Sequence, residues 1–181
     1  MPSRKVKLAT VWLSGCSGCH MSFLDMDERL IELAEAVELV YSPIADVKEF
    51  PEGVDVAIVE GAVGNEEQLE LLRVVRSRSR LLVALGDCAV TGNVTALRNT
   101  LGANASEAVL RKAYVENVTE RARVPDEEVP KLLERARPLQ EVVRVDCYVP
   151  GCPPGADLIH YVLTEVLAGR TPDLTNRFKY G

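Results

Sequence analysis

Apolar side chains along the 181-residue chain change period in a regular order. Lys5 to Trp12 is β-rich and ends in the turn Ser14-Gly15-Cys16-Ser17-Gly18-Cys19. Immediately afterwards Phe23, Leu24, Met26, Leu30, Ile31, Leu33 and Ala34 recur at helical spacing, with acidic and basic residues between them. That spacing predicts one amphipathic helix to about Ala36. Val37–Tyr41 reads as a second strand, Pro43 to Gly53 as a polar connection, and Val54–Val59 as a third strand ending in the glycine loop Glu60-Gly61-Ala62-Val63-Gly64. Asn65 and Gln68 then have capping-box spacing ahead of Leu69, Leu71, Leu72 and Val75, which predicts a second helix.

Leu81–Leu85 is a continuous apolar run closed by Gly86, the pattern of a parallel strand covered on both faces. From Ala89 to about Leu139 a helical pattern is interrupted by Gly92, Gly102, Pro125, Pro130 and Pro138, so several short helices are expected. Glu141–Val149 is the last predicted strand, and Ala156 to Ala168 the last helix, stopped by Gly169 and Pro172. Strand and helix alternate throughout. The expected fold is therefore α/β and flavodoxin-like, a doubly wound and mostly parallel sheet of about five strands with helices on both faces.

Composition narrows the function. With 47% hydrophobic and only 5% aromatic residues, the chain suits one compact aliphatic domain over 1–181. A net charge of -6 offers no global basic field to a nucleic acid or an anionic membrane, so neither partner is expected. No run approaches the roughly 20 apolar residues that span a bilayer. The N-terminus MPSRKVKLATVWLSG lacks the long apolar core of a signal peptide, and no twin-arginine pair is present. A cytoplasmic protein is expected, and there five cysteines point to metal binding or redox chemistry rather than disulfides.

The cysteine positions carry the argument. Cys16 and Cys19 follow the first strand, Cys88 follows the strand before Gly86, and Cys152 follows the last. In an open parallel sheet all these strand ends share one edge, so the four thiols can converge there to hold a [4Fe-4S] cluster. Glycines 15, 18, 86 and 151 let the main chain approach an anion closely, and the start of the first helix offers N–H donors and partial positive charge. Pro154 is placed to open the final helix. The bland alternative is four unrelated buried thiols; a structural zinc with four cysteines is another, although such sites usually use two local pairs. Cys147, inside the last strand, reads as a core thiol. His20 reads as a polar residue at a helix start or a group near the cluster, and His160 as structural. Glu60 and Asp87 stand at strand ends where a relay, a partner contact or a loop cap could use them. Trp12 could shield a cluster, meet a partner or pack in the core.

At these residues the sequence resembles the small subunits of [NiFe] hydrogenases, above all the short small subunit of cytoplasmic NAD-reducing hydrogenases. The shared segments are VWLSGCSGC at 11 to 19, GDCAVTGNV at 86 to 94, RKAYVEN at 111 to 117 and VPGCPPGAD at 149 to 157. The resemblance implies that Cys16, Cys19, Cys88 and Cys152 bind one proximal [4Fe-4S] cluster and that H2 is split elsewhere, in a large subunit carrying the NiFe site. It implies electrons passed on to diaphorase subunits with Fe-S clusters and FMN. A related quinone-reductase subunit of respiratory complex I starts its site with adjacent cysteines, whereas here Ser17 and Gly18 separate the pair. Longer hydrogenase small subunits bind further clusters in a C-terminal portion; none is expected here, because no cysteine follows Cys152. The loop Ser14 to Cys19 is also where a flavodoxin-like fold binds the FMN phosphate, so FMN binding is the competing reading, and an FMN beside the cluster is compatible with this branch.

Overall fold

A computed structural model describes residues 4–178. The elements in chain order are β1 (Val6–Trp12), α1 (Gly18–Leu24), α2 (Arg29–Ala36), β2 (Val37–Tyr41), β3 (Val54–Glu60), β4 (Val63–Asn65), α3 (Glu66–Arg78) and β5 (Ser79–Leu85). They continue with α4 (Asp87–Thr91), a 3-10 helix (Asn93–Leu101), α5 (Ala105–Arg111), β6 (Leu132–Arg137), β7 (Cys147–Val149) and α6 (Ala156–Leu167). Five strands form one sheet in the order β2-β1-β3-β5-β7, with every neighbouring pair parallel. The doubly wound α/β expectation holds.

Alternation along the central strands sorts their side chains into two layers, as a period of two requires. Ala9, Val11, Ala57, Val59, Leu82 and Ala84 pack with Leu72 and Val75 of α3 on one face. Leu8, Val56, Ile58, Val83 and Leu85 pack with Phe23 of α1, Met26, and Ile159, Val162 and Leu163 of α6 on the other. Burial on both faces explains why β3 is apolar over most of its length. Leu72 is fully buried, so Leu72→Ala should destabilise the fold by about 2–5 kcal/mol, the usual cost of a core Leu→Ala cavity. A urea-unfolding midpoint close to wild type would contradict this packing.

Four expectations are corrected. The single helix to Ala36 is broken between Leu24 and Arg29: the chain tightens into short turns, Met26 N–H to Phe23 O and Asp27 N–H to Leu24 O, and Asp27 takes φ 51. The break turns Met26 into the core, where it is 1% exposed. Within the stretch expected to be only short helices lies β6, which pairs antiparallel with β4 in a separate two-stranded sheet. Such pairing is non-local and leaves no local pattern. The last strand is far shorter than 141–149, because Asp146 replaces part of the ladder with its side chain: Leu82 N–H donates to Asp146 Oδ2 at 2.9 Å while Asp146 N–H donates to Leu82 O at 3.0 Å. The final helix also starts at Ala156 with Gly155 as its cap, so Pro154 does not open it.

Arg76 pairs with the same Asp146 carboxylate. Burial opposes ionisation there, but the Arg76 guanidinium and the Leu82 N–H outweigh it and hold the carboxyl below the usual range. A depressed native pKa contributes stability that is present above the unfolded value of about 3.9 and is lost as pH falls through the native value. Asp146→Asn should therefore lower the urea midpoint at neutral pH, with the gap to wild type closing in acid below about pH 4. A gap that stays constant across that range would remove the ionic contribution.

Candidate metal centre

Strand order reverses between β1 and β3, which opens a crevice at the carboxyl edge of the sheet. Loops after β1, β3, β5 and β7 meet there and bond to one another. Leu13 N–H donates to Glu60 O at 3.0 Å, and Ser14 exchanges main-chain bonds with Ala62 at 2.9 and 2.7 Å. Gly86 N–H donates to Val149 O at 2.8 Å, Asp87 N–H to Gly151 O at 2.9 Å, and Gly151 N–H returns to Asp87 Oδ1 at 2.7 Å. The Ser22 hydroxyl donates to Pro154 O at 2.6 Å, and the Thr95 hydroxyl to Ser14 O at 3.1 Å. Each cysteine-bearing loop is thus tied to a neighbour through residues other than its cysteines.

Cys16, Cys19, Cys88 and Cys152 all line one cavity of about 100 Å³, together with Gly15, Gly18, Gly61, Gly151, Glu60 and Asp87. Cys88 is buried and Cys19 half-buried, whereas Cys16 and Cys152 are exposed. Close approach dictates glycine at position 86, since a Cβ there would fall on the Cys19 Sγ, and its φ is 83. The Cys152–Pro153 peptide is cis. Cys147 lies apart from the cavity, partly packed against the α6-side core, and burial with the Asp146 charge pushes its thiol up to about 11. It is placed as a core thiol.

Electrostatics within the cavity favour a cationic guest. Burial foremost, then Glu60 and the three other thiols, push the Cys19 thiol far above its ordinary value, and burial likewise pushes up Cys88 against a bond with Thr95. Thiols that raise one another's pKa cannot all ionise without positive charge between them. Among the described residues no three His, Cys, Asp or Glu side chains are gathered tightly enough for a single metal ion. Four thiols around a shared cavity are the donor set by which an iron-sulfur group is held.

Of the helix-start donors expected to face the anion, those of Cys19 and His20 are instead taken by Glu60. Ser17, the cap position of α1, makes no side-chain cap bond and has φ 64. Glu60 at the end of β3 does the capping from a distance: His20 N–H donates to its Oε2 at 2.8 Å, and Cys19 also bonds to it. Burial raises the Glu60 carboxyl above its usual range, against these bonds. His20 does not line the cysteine cavity. Its side chain is 5% exposed, turns to the other side of α1 beside Thr10 and Phe23, and accepts the Trp12 indole N–H on Nδ1 at 2.7 Å. Burial lowers its pKa, so the imidazole is neutral with its proton on Nε2. Trp12, 37% exposed, holds this ring edge-on at 5.1 Å.

A larger groove, about 880 Å³, runs between α5 and residues 124–132, with no cysteine or histidine on its wall. The chemistry is concentrated in the smaller cavity.

The family model described as NADH ubiquinone oxidoreductase, 20 Kd subunit, matches residues 16–166, a span holding all four cavity cysteines. The chain belongs to this family. Within it, the chain is similar to the delta subunit of NAD-reducing hydrogenase HoxS of Cupriavidus necator, 42% identical over 175 residues that cover 94% of this chain and 82% of that one. A chain in the crystal structure of NAD+-reducing [NiFe]-hydrogenase in the H2-reduced state superposes with a TM-score of 0.91 and 44% identity, covering 98% of this chain and 100% of that one. The iron-sulfur subunit of the F420-non-reducing hydrogenase of Archaeoglobus profundus is 32% identical over 187 residues, covering 92% of this chain and 57% of its own. The chain spans about three fifths of the length of the F420-non-reducing relatives it matches. These likenesses bear out the resemblance to [NiFe] hydrogenase small subunits, which are components of multi-subunit oxidoreductases.

Two features of the site leave no clear mark along the chain. The Trp12–His20 bond joins residues on either side of the cysteine loop, and only the tight turn at Gly15 to Gly18 brings them together. The capping role of Glu60 had a weak signal, a carboxylate ending an otherwise apolar strand, without a hint of its target. No helix among the described residues is long and apolar enough to cross a membrane.

Proposed function

We propose that this chain, folded as one domain, is the electron-transfer small subunit of a cytoplasmic [NiFe] hydrogenase coupling H2 oxidation to NAD reduction. Cys16, Cys19, Cys88 and Cys152 hold its one [4Fe-4S] cluster. The observation that carries the reading is the gathering of four thiols, from three separate strand ends, on one cavity wall. When bound, the cluster supplies one-electron redox chemistry. The chain's own residues do the rest: hydrogen bonds between loops fix the four sulfurs before loading, and glycines at 86 and 151 let the backbone close around them. Once four thiols are used, only Cys147 remains, set apart from the cavity, so the NiFe site belongs to a large subunit. Diaphorase subunits with Fe-S clusters and FMN then receive the electrons.

Exposed apolar side chains stand on or next to the elements that carry the thiols: Trp12, Met21 and Leu24 around the first loop and α1, and Val94, Leu97 and Leu101 on the 3-10 helix after α4. They suit contact with the large subunit. FMN fits the cavity poorly, because Glu60 and Asp87 beside four thiols would repel a phosphate.

The reading is tested by anaerobic purification of the complex through a tag on this chain, with metal and sulfide analysis, EPR, and assays with H2 against NAD and against a quinone. Nickel, acid-labile sulfide, a reduced-cluster signal and H2-dependent NAD reduction are expected. Bound zinc without sulfide, stoichiometric FMN without sulfide, or activity with quinone but not H2 would sink it.

A further inference from the structure

A second cavity, of about 220 Å³, lies between α1, α2 and β2 and shares no wall residue with the four-thiol cavity. Leu8, Phe23, Leu30, Leu33 and Val37 make much of its wall, and no Asp, Glu, Lys or Arg side chain among the described residues lines it. Three polar side chains interrupt the apolar surface: Thr10, His20 and Ser42, which are 3%, 5% and 2% exposed. The Trp12 indole can only donate, so the His20 Nδ1 that accepts from it at 2.7 Å carries no proton, and the ring's N–H is at Nε2. Among the described residues nothing accepts that N–H. The Thr10 and Ser42 hydroxyls share one hydrogen bond of 2.9 Å. Two hydroxyls carry two protons and that bond uses one, so a second donor on the same wall has no acceptor among the described residues.

We propose that this cavity binds a compact, uncharged molecule, mostly hydrocarbon, whose single carbonyl oxygen accepts from His20 Nε2–H and from the spare hydroxyl. Buried polar groups are costly when they lack a partner, and both unused groups are donors, so the guest must bring an acceptor. Water meets the donors equally well but leaves the aliphatic wall without close contacts. Charge is excluded, since nothing on the wall would pair with it. Size sets the rest: an apolar cavity of about 150 Å³ takes benzene, so 220 Å³ takes one ring with a short substituent. Neither the four cysteines nor any redox step enters, so the site stands or falls apart from the cluster.

Acetophenone is the probe, with α-methylstyrene, in which a methylene replaces the carbonyl oxygen, as its apolar twin. Dissociation constants of both are measured by saturation-transfer NMR on the complex purified through a tag on this chain. The ratio of the two affinities is the readout, because changes in cavity shape affect both molecules and cancel. His20→Phe keeps a ring but removes the donor, and the partly exposed Trp12 can turn its freed N–H to water. This variant should lower the ketone-to-hydrocarbon affinity ratio about fivefold, the worth of one neutral hydrogen bond. Either hydroxyl alone can donate, so Thr10→Val and Ser42→Ala are combined, and the double variant should lower the ratio about twofold or more. Ala34→Phe, which fills the cavity from α2, should abolish binding of both molecules. A wild-type complex that does not bind acetophenone, binding that survives Ala34→Phe, or a ratio unchanged by His20→Phe overturns the proposal. If His20→Phe does not assemble, the ratio in the hydroxyl double variant decides.

Discussion

Cys88→Ser is expected to strip the subunit of most of its iron and acid-labile sulfide while leaving the sheet folded. Cys88 is 8% exposed in α4 and lines the cavity with the other three thiols. Fe-S clusters are held by thiolates, and a serine hydroxyl at this position is neutral and hard where the cluster needs a soft anion. The fold has little reason to follow. Serine is close in size, it can keep the bond to Thr95, and the loops around it are joined through Gly86, Asp87 and Gly151 rather than through sulfur. Replacing a small apolar group by a bonded hydroxyl costs on the order of 1 kcal/mol. Iron and sulfide assays with far-UV circular dichroism separate the two effects; wild-type metal content would rule out Cys88 as a ligand.

Gly86→Ala should damage both stability and the centre, by two separable routes. Gly86 has φ 83 and ψ 162, a region that side chains other than glycine rarely enter, and strain there costs about 1–3 kcal/mol. In addition, its new Cβ would overlap the Cys19 Sγ, so the sulfur must move from the cavity. Gly102 provides the control. It has φ 86 and nothing within 4 Å of where a methyl group would stand, so Gly102→Ala carries the strain without the collision. Both variants should unfold at lower urea concentration, but only Gly86→Ala should lose iron. Equal iron content in the two would show that position 86 does not confine Cys19.

Much of this was legible in the chain itself because it is written in local patterns. A continuous apolar run marked β5, the Asn65 cap is confirmed by Gln68 N–H donating to Asn65 Oδ1 at 2.8 Å, and Gly169 closes α6 with φ 72. Placing each cysteine just beyond a strand was enough to foresee that the four thiols would share one edge, since parallel topology puts all those ends together. What stayed hidden depends on contacts through space. The β4–β6 pair joins residues some 70 positions apart. Met26 breaks a helical pattern because the core offers it a better place. Gln68 lacks the reciprocal half of a capping box because its side chain accepts from Gly64 N–H and the Ser14 hydroxyl instead. Asp146 shortens a strand by standing in for backbone. At the site, the carboxylate of Glu60 and the indole of Trp12 find partners that only the closed crevice supplies.

The cavity walls are drawn from residues 15–19, 60–61, 87–88 and 151–153, almost the full span between the first strand and the last helix. A nascent chain therefore cannot assemble the pocket piecemeal: until β7 is synthesised and slotted beside β5, the fourth sulfur is missing. With the proposed ligand set, a polypeptide terminated before β7 would lack one of the four sulfurs and could not hold the complete group.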